Sequence, residues 1–104
     1  MSNRIDTTRL QEIARAYTAS AVLYAALDVS LFTHVSNGCR TEAALADATG
    51  LRDVDINRLV SCSLSLELLD WEGEELCNAP DVEAYLVEGK ERYAGPWMMF
   101  TRPD

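Results

Sequence analysis

Thr41–Asn78 reads TEAALADATGLRDVDINRLVSCSLSLELLDWEGEELCN, and its periodicities decide the fold. Ile56, Val60, Leu64 and Leu68 recur every four residues, with Leu59, Cys62, Leu66 and Leu69 as a second row beside them, so a helix over 53–68 with a wide apolar face is predicted. Asp53 is read as its N-cap, and Asp55 adds negative charge where the first-turn N–H groups favour it. Upstream, Thr41 caps a shorter helix over 42–49, and Gly50 ends it in a left-handed conformation. After Leu69 the period falls to about two: Leu69 and Trp71, then Glu72-Gly73-Glu74 as a turn, then Leu76 on a return strand. Two helices followed by a hairpin over about 69–77 is a helix-turn-helix with a wing.

On the N-terminal side, Thr8-x-x-Gln11 has the form of a capping box. From it Leu10, Ile13, Ala14, Tyr17, Ala21, Tyr24 and Ala25 keep helical spacing, predicting a helix over 8–27. Ala19–Leu27, ASAVLYAAL, is apolar on every side except Ser20, and such a helix must be covered all round. A second subunit supplying the missing wall is the expected cover. Leu31, Phe32 and Val35 close the segment before Asn37-Gly38 turns the chain. On the C-terminal side, Asn78 is read as the N-cap of a helix over 80–88, with Pro80 in its first turn and Gly89 beyond its end. In ERYAGPWMMFTRPD, Gly95-Pro96 breaks the pattern before Trp97, Met98, Met99 and Phe100, an apolar end suited to docking.

A chain of 104 residues is one domain, 1–104, able to bury a modest core. With 48% apolar and 25% charged residues it is globular, and no apolar run reaches the ~20 residues of a membrane span. No secretory signal is visible, so a cytoplasmic location without membrane contact is expected. Cys39, Cys62 and Cys77 are odd in number and lack C-x-x-C spacing, which makes them reduced thiols, with Cys62 read as core filler.

The chemistry of most enzyme classes is absent from the text. Glycines at 38, 50, 73, 89 and 95 are too scattered for a dinucleotide or phosphate loop. His34 has no metal-ligand or catalytic neighbour and reads as structural. Glu72, Glu74 and Glu75 read as a solvated hairpin tip, so no metal site is expected. Ser61, Ser63 and Ser65 do not share a helix face and lack a paired base. Nor is nucleic acid an expected partner: the net charge is −8, and from 53 to 75 seven acids face one base, Arg58.

Five blocks carry a resemblance: VLYAALDVSLF (Val22–Phe32), TEAALADATGL (Thr41–Leu51), INRLV (Ile56–Val60), ELLDWEGEEL (Glu67–Leu76), and AYL with a later Tyr93. Together they resemble the N-terminal dimerisation domain of small-molecule, S-adenosylmethionine-dependent O-methyltransferases, over about Leu10 to Phe100. The resemblance implies a mostly α, winged-helix-like domain intertwined with its twin through the long N-terminal helix. It implies interface residues Ile13, Tyr17, Ala21, Val22, Leu23 and Ala25, and Tyr17, Ser20 and Tyr24 on a substrate-pocket wall. Trp97 and Met98 are added to that wall as aromatic and thioether candidates. The family continues into a catalytic domain with a glycine-rich cofactor motif and commonly a histidine base. Neither stands in these 104 residues, so no catalytic or cofactor residue is assigned, and S-adenosylmethionine enters only with a catalytic domain encoded separately or deleted. The sequence also departs from the family in having Glu67-Leu68-Leu69 where Gly-Leu-Leu is usual, and Cys77-Asn78 where Leu-Thr is usual.

Three functions follow from this reading. The first is a dimerisation and substrate-wall module of a methyltransferase-like system in secondary metabolism. The second is a stand-alone small-molecule-binding or auxiliary protein of a natural-product pathway, and the third a winged-helix regulator acting through protein contacts or an unusual DNA mode, which would lose binding on Arg58→Ala.

Overall fold

The computed structural model describes residues 5–102, so the outermost parts of the expected domain, 1–4 and 103–104, lie outside the described residues. In chain order the elements are α1 (Thr8–Asp28), α2 (Leu31–Ser36), α3 (Glu42–Thr49), α4 (Asp53–Ser65), β1 (Leu69–Glu72), β2 (Glu75–Asn78), α5 (Pro80–Tyr85) and α6 (Gly95–Phe100). This is a helical domain with a β-hairpin wing, as the patterning of 41–78 predicts.

α3 forms as its sequence dictates. Thr41 Oγ1 accepts from the Ala44 N–H at 3.1 Å, and Gly50, at φ +76°, bonds through its N–H to Ala46 O. α4 differs at both ends. Arg52 occupies the N-cap and Asp53 is the first helical residue, because Arg52 already has the extended backbone of a cap and no side chain closes the turn. The helix stops at Ser65 rather than 68, since Glu67 turns left-handed at φ +60°. The Leu68 N–H then bonds Ser63 O and the Glu67 N–H bonds Leu64 O, the paired bonds of a Schellman motif with a glutamate where glycine is usual.

The hairpin runs antiparallel, pairing Leu69 with Asn78 and Glu72 with Glu75, so the tight turn is Gly73-Glu74. The Leu76 N–H also reaches Arg40 O at 2.9 Å, tying the chain before α3 to the free edge of β2. Asn78 belongs to that strand and does not cap α5, whose N-cap is Ala79. Its side chain instead donates to Phe32 O and to Glu83 Oε1, and α5 ends at Tyr85 rather than 88.

Two short helices were not predicted. Ser30, left-handed at φ +55°, starts α2 directly after α1, where 31–36 reads as the mere close of a segment. Pro96 stands in the first turn of α6, so Gly95-Pro96 begins a helix instead of breaking one. Gly95 is buried against the Tyr93 ring, and a Cβ there would overlap it. At the other end the expected capping box of Thr8 and Gln11 does not form: Thr7 is the N-cap of α1 and its side chain caps no backbone N–H, because its Oγ1 accepts from Gln11 Nε2 at 2.6 Å instead.

The core gathers α2 (Leu31, Phe32, Val35), α3 (Leu45, Ala46), α4 (Ile56, Val60), the hairpin (Leu69, Leu76) and Val82, Leu86 and Val87. Each large side chain buried there contributes about 1.5–3 kcal/mol. Of the second row, Leu69 is part of this core and Leu59 packs against it, whereas the other two residues stay outside. Cys62 is exposed and Leu66 is 38% exposed, which corrects the reading of Cys62 as core filler. These two face α1, and Ser63 takes the interior place on α4 instead, fully buried.

α1 is divided. Val22 and Ala26 pack inward, whereas every residue from Thr8 to Ser20 is exposed, so one chain covers only the second half of ASAVLYAAL and beyond. At about 1.5 Å per residue the helix is ~31 Å long.

Candidate functional site

Helical spacing places Leu10, Ile13, Tyr17, Ala21, Tyr24 and Ala25 on the side of α1 turned away from the body. Leu10, Ile13 and Tyr17 are 59%, 60% and 73% exposed. A shallow cavity of about 300 Å³ opens on this side, lined by Tyr17, Ser20, Ala21, Tyr24, Ala25, Asp28 and Arg102. The structure therefore brings together the three wall residues expected on α1.

The C-terminal segment forms one rim of that cavity. Arg102 Nη1 donates to both carboxylate oxygens of Asp28, at 3.0 and 2.9 Å, and its guanidinium lies 5.7 Å from the Tyr24 ring centroid. The Tyr24 hydroxyl is 3.0 Å from Thr101 Oγ1, which itself donates to Met98 O. Charge pairing and ring contact thus fix Tyr24 against the segment after α6. No pattern in the sequence links Arg102 to Asp28, since 74 positions separate them.

On the opposite flank a larger cavity, about 540 Å³, runs between α1 and α4 and shares Tyr17, Ala21, Ala25 and Asp28 with the first. Its α4 wall includes Asp55, Arg58, Leu59 and Cys62. Arg52 Nε donates to Asp55 Oδ2 at 2.9 Å, and this hydrogen bond above all, helped by the charges of Arg52 and Arg58, holds the Asp55 carboxyl below its ordinary value against the opposing cost of desolvation. Farther out, Gln11, Arg15 and Ala19 overhang Ser61, Ser65 and Leu66 across a cleft of about 600 Å³.

Trp97 and Met98 lie elsewhere. They line a separate cavity of about 380 Å³ with Leu23, Leu68, Val82, Tyr85 and Leu86. The five expected wall residues are thus split between two separate cavities. The expected interface set divides too: Ile13, Tyr17, Ala21 and Ala25 are exposed, while Val22 is buried and Leu23 packs against the core of its own chain.

Glu83 organises a polar cluster behind the hairpin. Burial alone would raise its carboxyl, but hydrogen bonds from Ser36 Oγ, Asn78 Nδ2 and Lys90, and the Lys90 charge, bring it below the ordinary range. The links join α2, β2 and α5. His34 lies half-buried in α2. No group of three His, Cys, Asp or Glu side chains able to hold a metal occurs among the described residues. No helix among them is long and apolar enough to cross a membrane.

A helical body with a β-hairpin wing is a fold this chain shares with part of solved methyltransferases. No family model matches the chain. It is 27% identical over 86 residues to the N,N-dimethyltransferase OxyT of Streptomyces rimosus, a match covering 83% of this chain and 25% of OxyT. An O-methyltransferase family protein from Burkholderia thailandensis superposes with a TM-score of 0.77 at 27% identity, over 92% of this chain and 29% of that one. CalO1, a methyltransferase of calicheamicin biosynthesis solved with SAH bound, gives a TM-score of 0.78 at 25% identity, over 92% and 30%. The chain is related to these methyltransferases and spans between a quarter and a third of their length.

Proposed function

We propose that this chain is the dimerisation and substrate-wall module of a small-molecule O-methyltransferase-like system in secondary metabolism, corresponding to the N-terminal region of such enzymes. The observation that carries the reading is the outward side of α1, where Leu10, Ile13 and Tyr17 stand in solvent beside a cavity holding Tyr17, Ser20 and Tyr24. An apolar helix side of that length is stable in water when a second surface covers it. With two copies joined there, the tyrosine-lined cavity becomes enclosed and offers apolar walls with a few hydroxyls, suited to an aromatic or polyketide-like substrate. Methyl transfer itself belongs to a catalytic domain outside these residues, which supplies S-adenosylmethionine and the base.

Light scattering over a wide concentration range, with thermal melts alongside, tests the reading. A dimer near twice 11.5 kDa, with a melting temperature that rises with concentration, is the expected result. A monomer at every concentration removes the reading. Tyr17→Glu and Ala21→Glu should each abolish the dimer and leave the protomer folded. Leu23→Glu discriminates poorly, because Leu23 packs on its own core.

A free-standing small-molecule-binding protein is the second reading, favoured by the cavity under Trp97 and Met98, where Trp97 is 66% exposed beside Leu23, Val82 and Leu86. Under it, planar phenolic probes should quench Trp97 fluorescence and Trp97→Phe should remove the response.

A further inference from the structure

The cavity of about 380 Å³ beside α6 is lined by apolar and aromatic side chains and by one charged residue, Asp81. Val82 and Leu86 are buried in its interior, while Tyr85 and Trp97 are exposed at its mouth. Asp81 Oδ1 accepts from the Val82 N–H at 2.9 Å, which orients the carboxylate at the start of α5. No basic side chain lines the cavity, and Asp81 makes no ion pair among the described residues. α6 is fastened at both ends: the Ala94 N–H bonds Tyr85 O at 2.7 Å ahead of it, and Thr101 Oγ1 stands 3.0 Å from the Tyr24 hydroxyl behind it. The walls are therefore in place before any ligand arrives.

We propose that this cavity takes a small aromatic amine in its protonated form, the ring entering among Val82, Leu86 and Met98 and the ammonium staying at the mouth beside Asp81, Tyr85 and Trp97. The proposal rests on the second reading, that the cavity binds a small molecule, and adds the charge of that molecule. Burial of the ring is equally favourable for a neutral, anionic or cationic ligand of the same shape. Only the cation gains the attraction of an unpaired carboxylate and of the negative faces of two aromatic rings, together about tenfold in affinity at a solvent-exposed mouth. An anion meets Asp81 with no base to offset it, on a chain of net charge −8. The volume lies at the low end for small-ligand sites and suits one or two fused rings with a short aminoalkyl arm.

Calorimetric titration of the full chain with three ligands of one shape reads the charge preference. Protonated naphthylmethylamine should bind about tenfold more tightly than neutral naphthylmethanol, and naphthoate more weakly than either. Asp81→Asn keeps the oxygen that accepts from the Val82 N–H, and should lower the amine's affinity severalfold while leaving that of the alcohol unchanged. Glu74→Gln, which removes the same charge at the hairpin turn, should leave the preference intact. Trp97→Leu should weaken amine and alcohol together, and the amine more. Equal affinity for amine and alcohol would overturn the proposal and leave the cavity as a neutral-ligand site. A preference that survives Asp81→Asn, or falls equally with Glu74→Gln, would overturn it in favour of attraction to the chain's overall charge. Binding of none of the three would remove the proposal and the second reading together.

Discussion

The two long helices, α1 and α4, both carry an apolar side in the sequence and meet opposite fates. α4 places Ile56, Val60 and Ser63 at 0% exposure, while α1 from Thr8 to Ser20 buries nothing in its own chain. α3 packs along one side of α4, and the hairpin returns beneath it. The buried residues of α1, Val22 and Ala26, both fall in its second half. An apolar helical period therefore says that a face will be covered, and the neighbouring elements decide whether the same chain covers it.

The largest expected effect tests that contrast directly. Ile56→Ala should destabilise the protomer by about 2–5 kcal/mol, the usual loss for a fully enclosed aliphatic side chain. Ile13→Ala, at 60% exposure, should leave the isolated protomer's urea midpoint nearly unchanged and reduce only the concentration-dependent part of the melting temperature. Equal losses in dilute protein for both variants would mean that α1 is supported by its own chain.

A smaller effect of opposite sign comes from within α4. Ser63 Oγ is fully buried and has no hydrogen-bond partner among the described residues. An unpaired buried hydroxyl costs roughly 1–3 kcal/mol. Ser63→Ala should therefore raise stability by about 1 kcal/mol, the methyl group keeping most of the packing. A drop in the urea midpoint would show that the hydroxyl is bonded in solution, for example to an enclosed water.

Glu67 should give a smaller gain again. A left-handed residue with a Cβ costs about 1–2 kcal/mol, partly offset because glycine adds freedom to the unfolded chain. Glu67→Gly at φ +60° should thus stabilise by about 0.5 kcal/mol, and Glu67→Ala should not. Thermal melts of the two variants side by side separate backbone relief from loss of the carboxylate.

How far each helix could be read in the sequence follows the same divide. Thr41, Gly50, the four-residue row of Ile56 and Val60 and the two-residue period around Leu69–Leu76 are local signals, and the structure keeps them. α2 and α6 are six residues each, too short for a period to show, and their starts depend on a left-handed Ser30 and on Pro96. Cys62 and Ser63 exchange roles because adjacent helix positions differ by about 100° and only the packed neighbours settle which is inside. Tyr17, Ser20 and Tyr24 could be grouped from spacing on one helix. Arg102 and Asp28, which complete their cavity, could not, since tertiary packing alone joins them.

The least of the expected effects separates the body from α1 by pH. The Glu83 carboxyl is held below its ordinary 4.5 because the hydrogen bonds from Ser36, Asn78 and Lys90 outweigh its burial. A depressed folded-state value means that the unfolded chain takes up the proton first. The stabilisation is then complete above 4.5, shrinks as pH falls through the folded value, and is absent below it. Glu83 is 37% exposed in its side chain, so solvent screening keeps the effect modest. Melting temperatures of wild type and Glu83→Gln should differ at neutral pH and converge on acidification. The convergence should be the same in a Tyr17→Glu background, because the Glu83 hydrogen bonds link α2, β2 and α5. A gap that closes only in the dimer would place Glu83 in the coupling between the body and the helix that projects from it.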